Sequence, residues 1–260
     1  MSKKKQKGKK HVVSKRKTGS RRAGTIVAVL IVLAIATVLI VIGGKPSSDP
    51  TGMATGNFQP MPNNPTVNIE NLDDLESETY KGLKVEKIGS YSGVFMEDGT
   101  NDIVSRILMI VVKNTGSRTV QYGEIQLTNG SGTASFTLST LPPGESIILL
   151  EKNRMSYDAG KALTEVKIQN VAVFQQEPSL CEDRIKVQAV DGIITVTNIA
   201  NEDITGNIVI YYKNAASDIL YGGITYRVTI KGGIKAGDIQ QIAAKHYTSN
   251  GSRIMWITVE

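Results

Sequence analysis

The chain has 260 residues, a formal net charge of +6, 40% hydrophobic and 5% aromatic residues, one cysteine and two histidines. The lone cysteine, Cys181, excludes an intramolecular disulfide framework and any CxxC metal or redox motif. The charge is lopsided: residues 1–22 hold eleven Lys and Arg and no acid, leaving 19 basic against 24 acidic residues, a net −5, in the remainder. The basic total therefore belongs to the tail and gives no reason to expect the folded part to bind nucleic acid.

Residues 1–22 read as a basic cytoplasmic tail. From Ala23 to Gly44 no residue is charged, and Ile26 to Ile42 is apolar except for Thr37. A helix of that length spans about 33 Å, against about 30 Å for the hydrocarbon core of a bilayer. A transmembrane helix is predicted over 23–44, with Ile26, Leu30, Leu33, Leu39 and Ile42 in lipid. The run exceeds the apolar region of a cleavable signal and ends in VIGGKP, with neither a small-x-small site nor a lipoprotein cysteine, so it reads as an uncleaved signal anchor. Cations beside a span resist translocation. Lys15, Arg16, Lys17, Arg21 and Arg22 precede this one, and only Lys45 lies between its end and Lys81. The amino terminus is thus expected in the cytoplasm, with its charges against anionic lipid headgroups, and residues 45–260 outside.

Residues 45–80 carry five of the eight prolines and no apolar periodicity, which predicts a disordered stalk. Beyond Tyr80 the pattern becomes short strands between polar turns. TASFTLS (133–139) alternates Ala134, Phe136 and Leu138 inward, and ITYRVTI (224–230) does the same with Ile224, Tyr226, Val228 and Ile230, the period of half-buried antiparallel strands. Continuous runs such as ILMIVV (107–112) and IVIYY (208–212) fit central strands. One short helix is expected in YDAGKALTEV (157–166).

The two halves form a weak internal repeat. VVKNTGSRTV ends a strand at Asn114 and resumes at Val120, and TVTNIANEDI ends one at Asn198 and resumes at Ile204. An Asn side chain at a strand end hydrogen-bonds its own backbone and favours such a turn. Each half then has an apolar-x-x-Gly-acid turn, LPPGE at Gly144 and IKAGD at Gly237. The inward parity of Val120 and Tyr122 disagrees with that of Ile125 and Leu127, which predicts one extra residue, a β-bulge, near Gly123. The expected architecture is all-β: two immunoglobulin-like antiparallel β-sandwiches in tandem, 81–176 and 183–260, hinged at QQEPSLCED and preceded by one transmembrane helix. GIITVTNIANEDITGNIVIYYKN and the IKAGD turn are similar to the FxLYD-type β-sandwich modules of single-pass envelope proteins of Gram-positive bacteria. Asn214 stands where that pattern carries an Asp-containing turn. The resemblance implies an envelope location and transfers no catalytic residue.

No catalytic, cofactor or metal site is expected. His246 is the only histidine beyond the tail, and there is no HExxH or GxSxG. EDGTND (97–102) lacks the ligand alternation of a calcium loop and reads as a polar hairpin connection. A Lys–Asn crosslink from Lys84 or Lys87 to Asn170 has the residue types but no further support. The second half holds six of the fourteen aromatics, so a contact surface is expected there, at Tyr211, Tyr221 and Trp256, with the carboxyl-terminal strand (254–259) at a sheet edge. The sequence predicts a membrane-anchored, non-catalytic extracytoplasmic binding or spacer protein of the cell envelope. Its partners would be the lipid bilayer and an envelope protein or cell-wall glycan. A tethered subunit of an envelope assembly or secretion complex, or a hydrolase accessory or weak envelope enzyme with an unrecognised site, are the alternatives. With intact cells, external protease is expected to digest residues 45–260 and spare the tail, and protection of 45–260 would reverse the orientation.

Overall fold

A computed structural model describes residues 67–130 and 132–260. The predicted tail, the transmembrane helix with its lipid-facing and flanking residues, and residues 45–66 of the stalk lie outside the described residues. Among those described, no helix is long and apolar enough to cross a membrane.

The described chain is all-β. The first half contains β1 (Asn68–Asp74), β2 (Leu83–Val94), β3 (Ile103–Asn114), β4 (Val120–Asn129), β5 (Gly132–Leu141), β6 (Ser146–Leu150) and β7 (Leu163–Val173). The second contains β8 (Ile185–Val190), β9 (Ile193–Asn198), β10 (Ile208–Ala216), β11 (Ile219–Ile230), β12 (Ile239–Ala243) and β13 (Ser252–Val259). They form a seven-stranded sheet, β1-β2-β3-β6-β11-β10-β13, and two three-stranded sheets, β5-β4-β7 and β12-β9-β8. The halves repeat strand for strand: β2-β3-β6 corresponds to β8-β9-β12, and β5-β4-β7 to β11-β10-β13. A short parallel pairing, Ile219–Tyr221 of β11 against Ser146–Ile148 of β6, joins the halves into one sheet.

Alternation places the cores. Ala134, Phe136 and Leu138 of β5 meet Leu108, Ile110 and Val112 of β3 and Ile147 and Leu149 of β6 in a first core. The intervening residues of β3, Ile107, Met109 and Val111, enter a separate cluster with Tyr91, Ile148, Leu150 and Tyr221. The run ILMIVV is thus buried on both faces, as a central strand requires. Ile194 and Val196 of β9 pack with Ile208, Ile210 and Tyr212 of β10 in the second half's core.

The β10–β11 hairpin reaches across the junction. Ala215 and Leu220 belong to the first core, and Tyr221 to the cluster on the other face.

Three local expectations meet different outcomes. The bulge is present, but Tyr122, expected inward with Val120, is turned out by it: Gln121 and Tyr122 both face outward between inward Val120 and Gly123, and the register of β4 against β7 shifts there. The helix expected in 157–166 is absent. A turn at 158–161 leads directly into β7, whose β-branched residues take the open edge of β4. The far end of the stretch read as stalk is ordered, since residues 68–74 form β1 on the edge of β2. Its acidic composition is outweighed by ladder hydrogen bonds, by Ile69 and Leu75 packing on the clusters beneath, and by an ion pair of Asp74 with Lys87 at 2.5 Å.

The repeat is carried by two buried asparagines, each 0% exposed. Asn114 Nδ2 donates to the carbonyls of Arg118 (2.9 Å) and Leu141 (2.8 Å), and its Oδ1 accepts from Gly116 N–H at 2.9 Å. Asn198 repeats the set with Glu202 (2.8 Å), Ile234 (3.0 Å) and Ala200 N–H (3.0 Å). The backbone carbonyls of the two asparagines accept from Gly144 N–H and Gly237 N–H, so each asparagine, by side chain and backbone together, ties a strand end to the Gly-acid turn predicted for its half. Gly144 and Gly237 have φ of 77° and 76°, where a side chain would be strained. Replacing either asparagine by Ala strands two carbonyls and an N–H. Urea unfolding should show losses of about 2–4 kcal/mol for Asn114→Ala and for Asn198→Ala, adding in the double variant because the hubs share no partner.

Candidate functional site

The three residues predicted as a contact surface do not stay together. Tyr211 and Trp256 are register partners on β10 and β13, stacked at 4.1 Å with 7° between their planes. Both keep part of their surface at solvent. Phe174, next after β7, meets the indole edge-on at 5.3 Å. Tyr221 is elsewhere: it is 4% exposed, in the cluster with Tyr91 and Leu150, and is no part of a surface. Its strand turns it inward because β11 is bonded to β6 at that residue. β13 does lie at the edge of its sheet, but the connecting segment already occupies part of it. Ile257 N–H donates to Ser179 O at 2.8 Å, and Cys181 Sγ lies 3.6 Å from Ile257 O.

A second constellation, with no counterpart among the predicted residues, sits where the halves meet. Between the pairs Tyr212↔Tyr226 and Asn214↔Tyr221 the ladder breaks, and the single residue Lys213 stands opposite Gly222 to Thr225. Such a bulge strips buried backbone groups of ladder partners, and each must find another. Here charged side chains supply them. Glu97, just beyond β2, accepts from Gly223 N–H (2.6 Å) with Oε2 and from Leu150 N–H (2.8 Å) with Oε1. Lys213 Nζ donates to Ile224 O (2.8 Å) and to Ser139 O of β5 (2.9 Å). Ser139 Oγ donates to Gly223 O at 2.6 Å and meets Thr225 Oγ1 at 2.8 Å. Gly223 is required by space, since a methyl there would collide with the Thr137 carbonyl and reach within 2.9 Å of Glu97 Oε2.

Lys213 is 0% exposed. Burial drives its ammonium well below the ordinary lysine range, opposed by the negative charge of Glu97. Glu97 keeps some surface at solvent, but protein crowded around its carboxyl pushes its pKa well above the carboxylate range. The N–H groups of Leu150 and Gly223, then Lys213 and Lys152, pull it back down. At the surface nearby, Arg253 and Glu145 form a further ion pair between the halves.

The remaining polar features are occupied structurally. Asp98 and Asp102 of EDGTND both bind Arg154, at 3.0 and 2.8 Å, and Asp98 Oδ1 also accepts from Thr100 N–H. This is the hairpin connection expected between β2 and β3. His246 stacks on Tyr226 at 4.7 Å, and partial burial and Lys245 lower its pKa. Asn170 binds Glu124 (2.7 Å) from β7, while Lys87 on β2 binds Asp74, so neither faces the other for a crosslink. A shallow cleft of about 220 Å³ lies between Lys81 and Arg118. Both cations there already donate to carbonyls, of Val171 and of Phe174 and Gln175. Compared with protein-family models, curated proteins and solved structures, the chain matches none.

The seam yields a measurable asymmetry with pH. Lys213→Met leaves the Glu97 carboxylate without its cation, which raises its pKa further. A raised carboxyl pKa gives stability that is full below the ordinary carboxylate value and lost as pH rises through the folded-state value. Lys213→Met should therefore cost about 3–5 kcal/mol at pH 8 and clearly less at pH 4. The double variant Glu97→Gln/Lys213→Met should cost less than the sum of the singles in a urea-unfolding cycle.

Proposed function

We propose that the chain is a membrane-anchored, non-catalytic binding or spacer protein of the cell envelope. In this reading the tail 1–22 stays in the cytoplasm, residues 23–44 span the bilayer, and the rest is held outside on a stalk that ends before Asn68. Each half is read as an immunoglobulin-like sandwich of the FxLYD kind. The observation that carries the proposal is the fusion of the halves. A seven-stranded sheet runs through both, so the extracytoplasmic part is one stiff body rather than two beads on a string. The described residues fall within a single compact unit. A stiff body on a stalk suits holding a partner at a set distance from the membrane.

The partner, an envelope protein or a cell-wall glycan, is assigned to the stacked Tyr211–Trp256 pair. Partly exposed aromatic rings, stacked on one another across two strands, offer rigid contact area at little entropic cost, and such residues dominate interface energies. Crosslinking on intact cells followed by capture through the full chain tests the reading. A stoichiometric envelope protein or retained wall glycan supports it, and turnover of a wall substrate would sink it. Trp256→Ala should weaken the captured interaction by about 2 kcal/mol without loss of fold.

A further inference from the structure

The seam reaches the surface assigned to the partner. Lys213 lies two residues from Tyr211 on β10, and both point away from the second core because Tyr212 between them belongs to it. Trp256 is directly across from Tyr211. The third ring comes from the other half: Phe174 N–H donates to Thr119 O at 3.0 Å, and its carbonyl accepts from Arg118. The aromatic triad is therefore composite, with two rings from the second half and one fixed to the first. It exists only when the halves hold one arrangement.

Besides the Ile219–Tyr221 ladder on β6 and the Arg253–Glu145 ion pair, two kinds of contact hold that arrangement, and they differ in what they specify. Leu220 and Ala215 enter the first core by apolar packing, which is non-directional. Glu97 and Lys213 each need two backbone partners at fixed positions on different strands, Leu150 and Gly223 for one, Ser139 and Ile224 for the other. A slip of one residue along β11 would leave a charge without partners in a crowded, water-poor seam, which is far more costly than a shifted apolar contact. We propose that Glu97 and Lys213 form a conformational latch that selects the single arrangement of the two halves in which Phe174, Trp256 and Tyr211 make one surface. The functional meaning of the latch rests on the reading of that surface as the place of contact, whereas its test needs no partner.

Trp256 is the only tryptophan in the chain, so its fluorescence reports the triad directly. In the full chain in detergent, Lys213→Met is expected to keep the wild-type far-UV circular dichroism. Its Trp256 emission should shift to the red and lose protection from acrylamide, and protease should cut within residues 174–184 several-fold faster than in the wild type. Phe174→Ala supplies the reference, exposing Trp256 without opening the segment to protease. Glu97→Gln, nearly isosteric, should behave as a milder Lys213→Met and serves if the latter does not fold. Native circular dichroism with wild-type quenching and protease resistance in the folded variants would overturn the latch. So would loss of circular dichroism and Trp256 protection in one step in both variants, which would make the seam part of one indivisible folding unit.

Discussion

The structure turns on backbone groups that its own sheet cannot satisfy. Where β11 leaves β6 and rejoins β10, Gly223 and Ile224 fall out of the ladder, as does the N–H of Leu150. Buried and unpaired, each such group would cost about 1–3 kcal/mol. A carboxylate, an ammonium and a hydroxyl, from Glu97, Lys213 and Ser139, take their places. The seven-stranded sheet can cross from one half to the other because these side chains complete it.

The same logic recurs at smaller scale. Asn114 and Asn198 act as surrogate backbone at two strand ends. Glu151, 0% exposed, accepts from the N–H groups of Ser135, Asn153 and Met155 where β6 ends. These buried polar side chains all supply the missing hydrogen-bond partner at places where strands stop, bulge or part. Apolar burial supplies the bulk of the stabilisation, and these groups decide where each strand begins and ends.

This division explains what could be read from the sequence. Period-two stretches such as TASFTLS, the double-faced run ILMIVV, the strand-end asparagines and the extra residue in β4 are all local patterns, and the structure repeats them. β1 was obscured by its acids, because edge pairing leaves most of its side chains in water and so imposes little on its composition. Tyr221 looked like its aromatic neighbours, and only its pairing with β6 turns it inward. Glu97 and Lys213 gave no local sign either, since the groups they satisfy lie far along the chain, and a lysine after two tyrosines resembles any solvated strand end. The one hint was Gly222–Gly223 inside an otherwise regular strand, a mark of close backbone approach.

The parallel contact between β6 and β11 also makes the two units unequal. The first half offers β6, with Ile147 and Ile148 buried on its two faces, as an acceptor edge, and the second half donates its hairpin to it. Counting from the Gly144 and Gly237 turns, the equivalent residues of β12 are Gln240 and Gln241, both exposed. The second half therefore donates a hairpin without itself offering an apolar edge of that kind. β12 thus shows a polar outer strand where β6 shows an apolar one, and the two units, though alike strand for strand, are not equivalent.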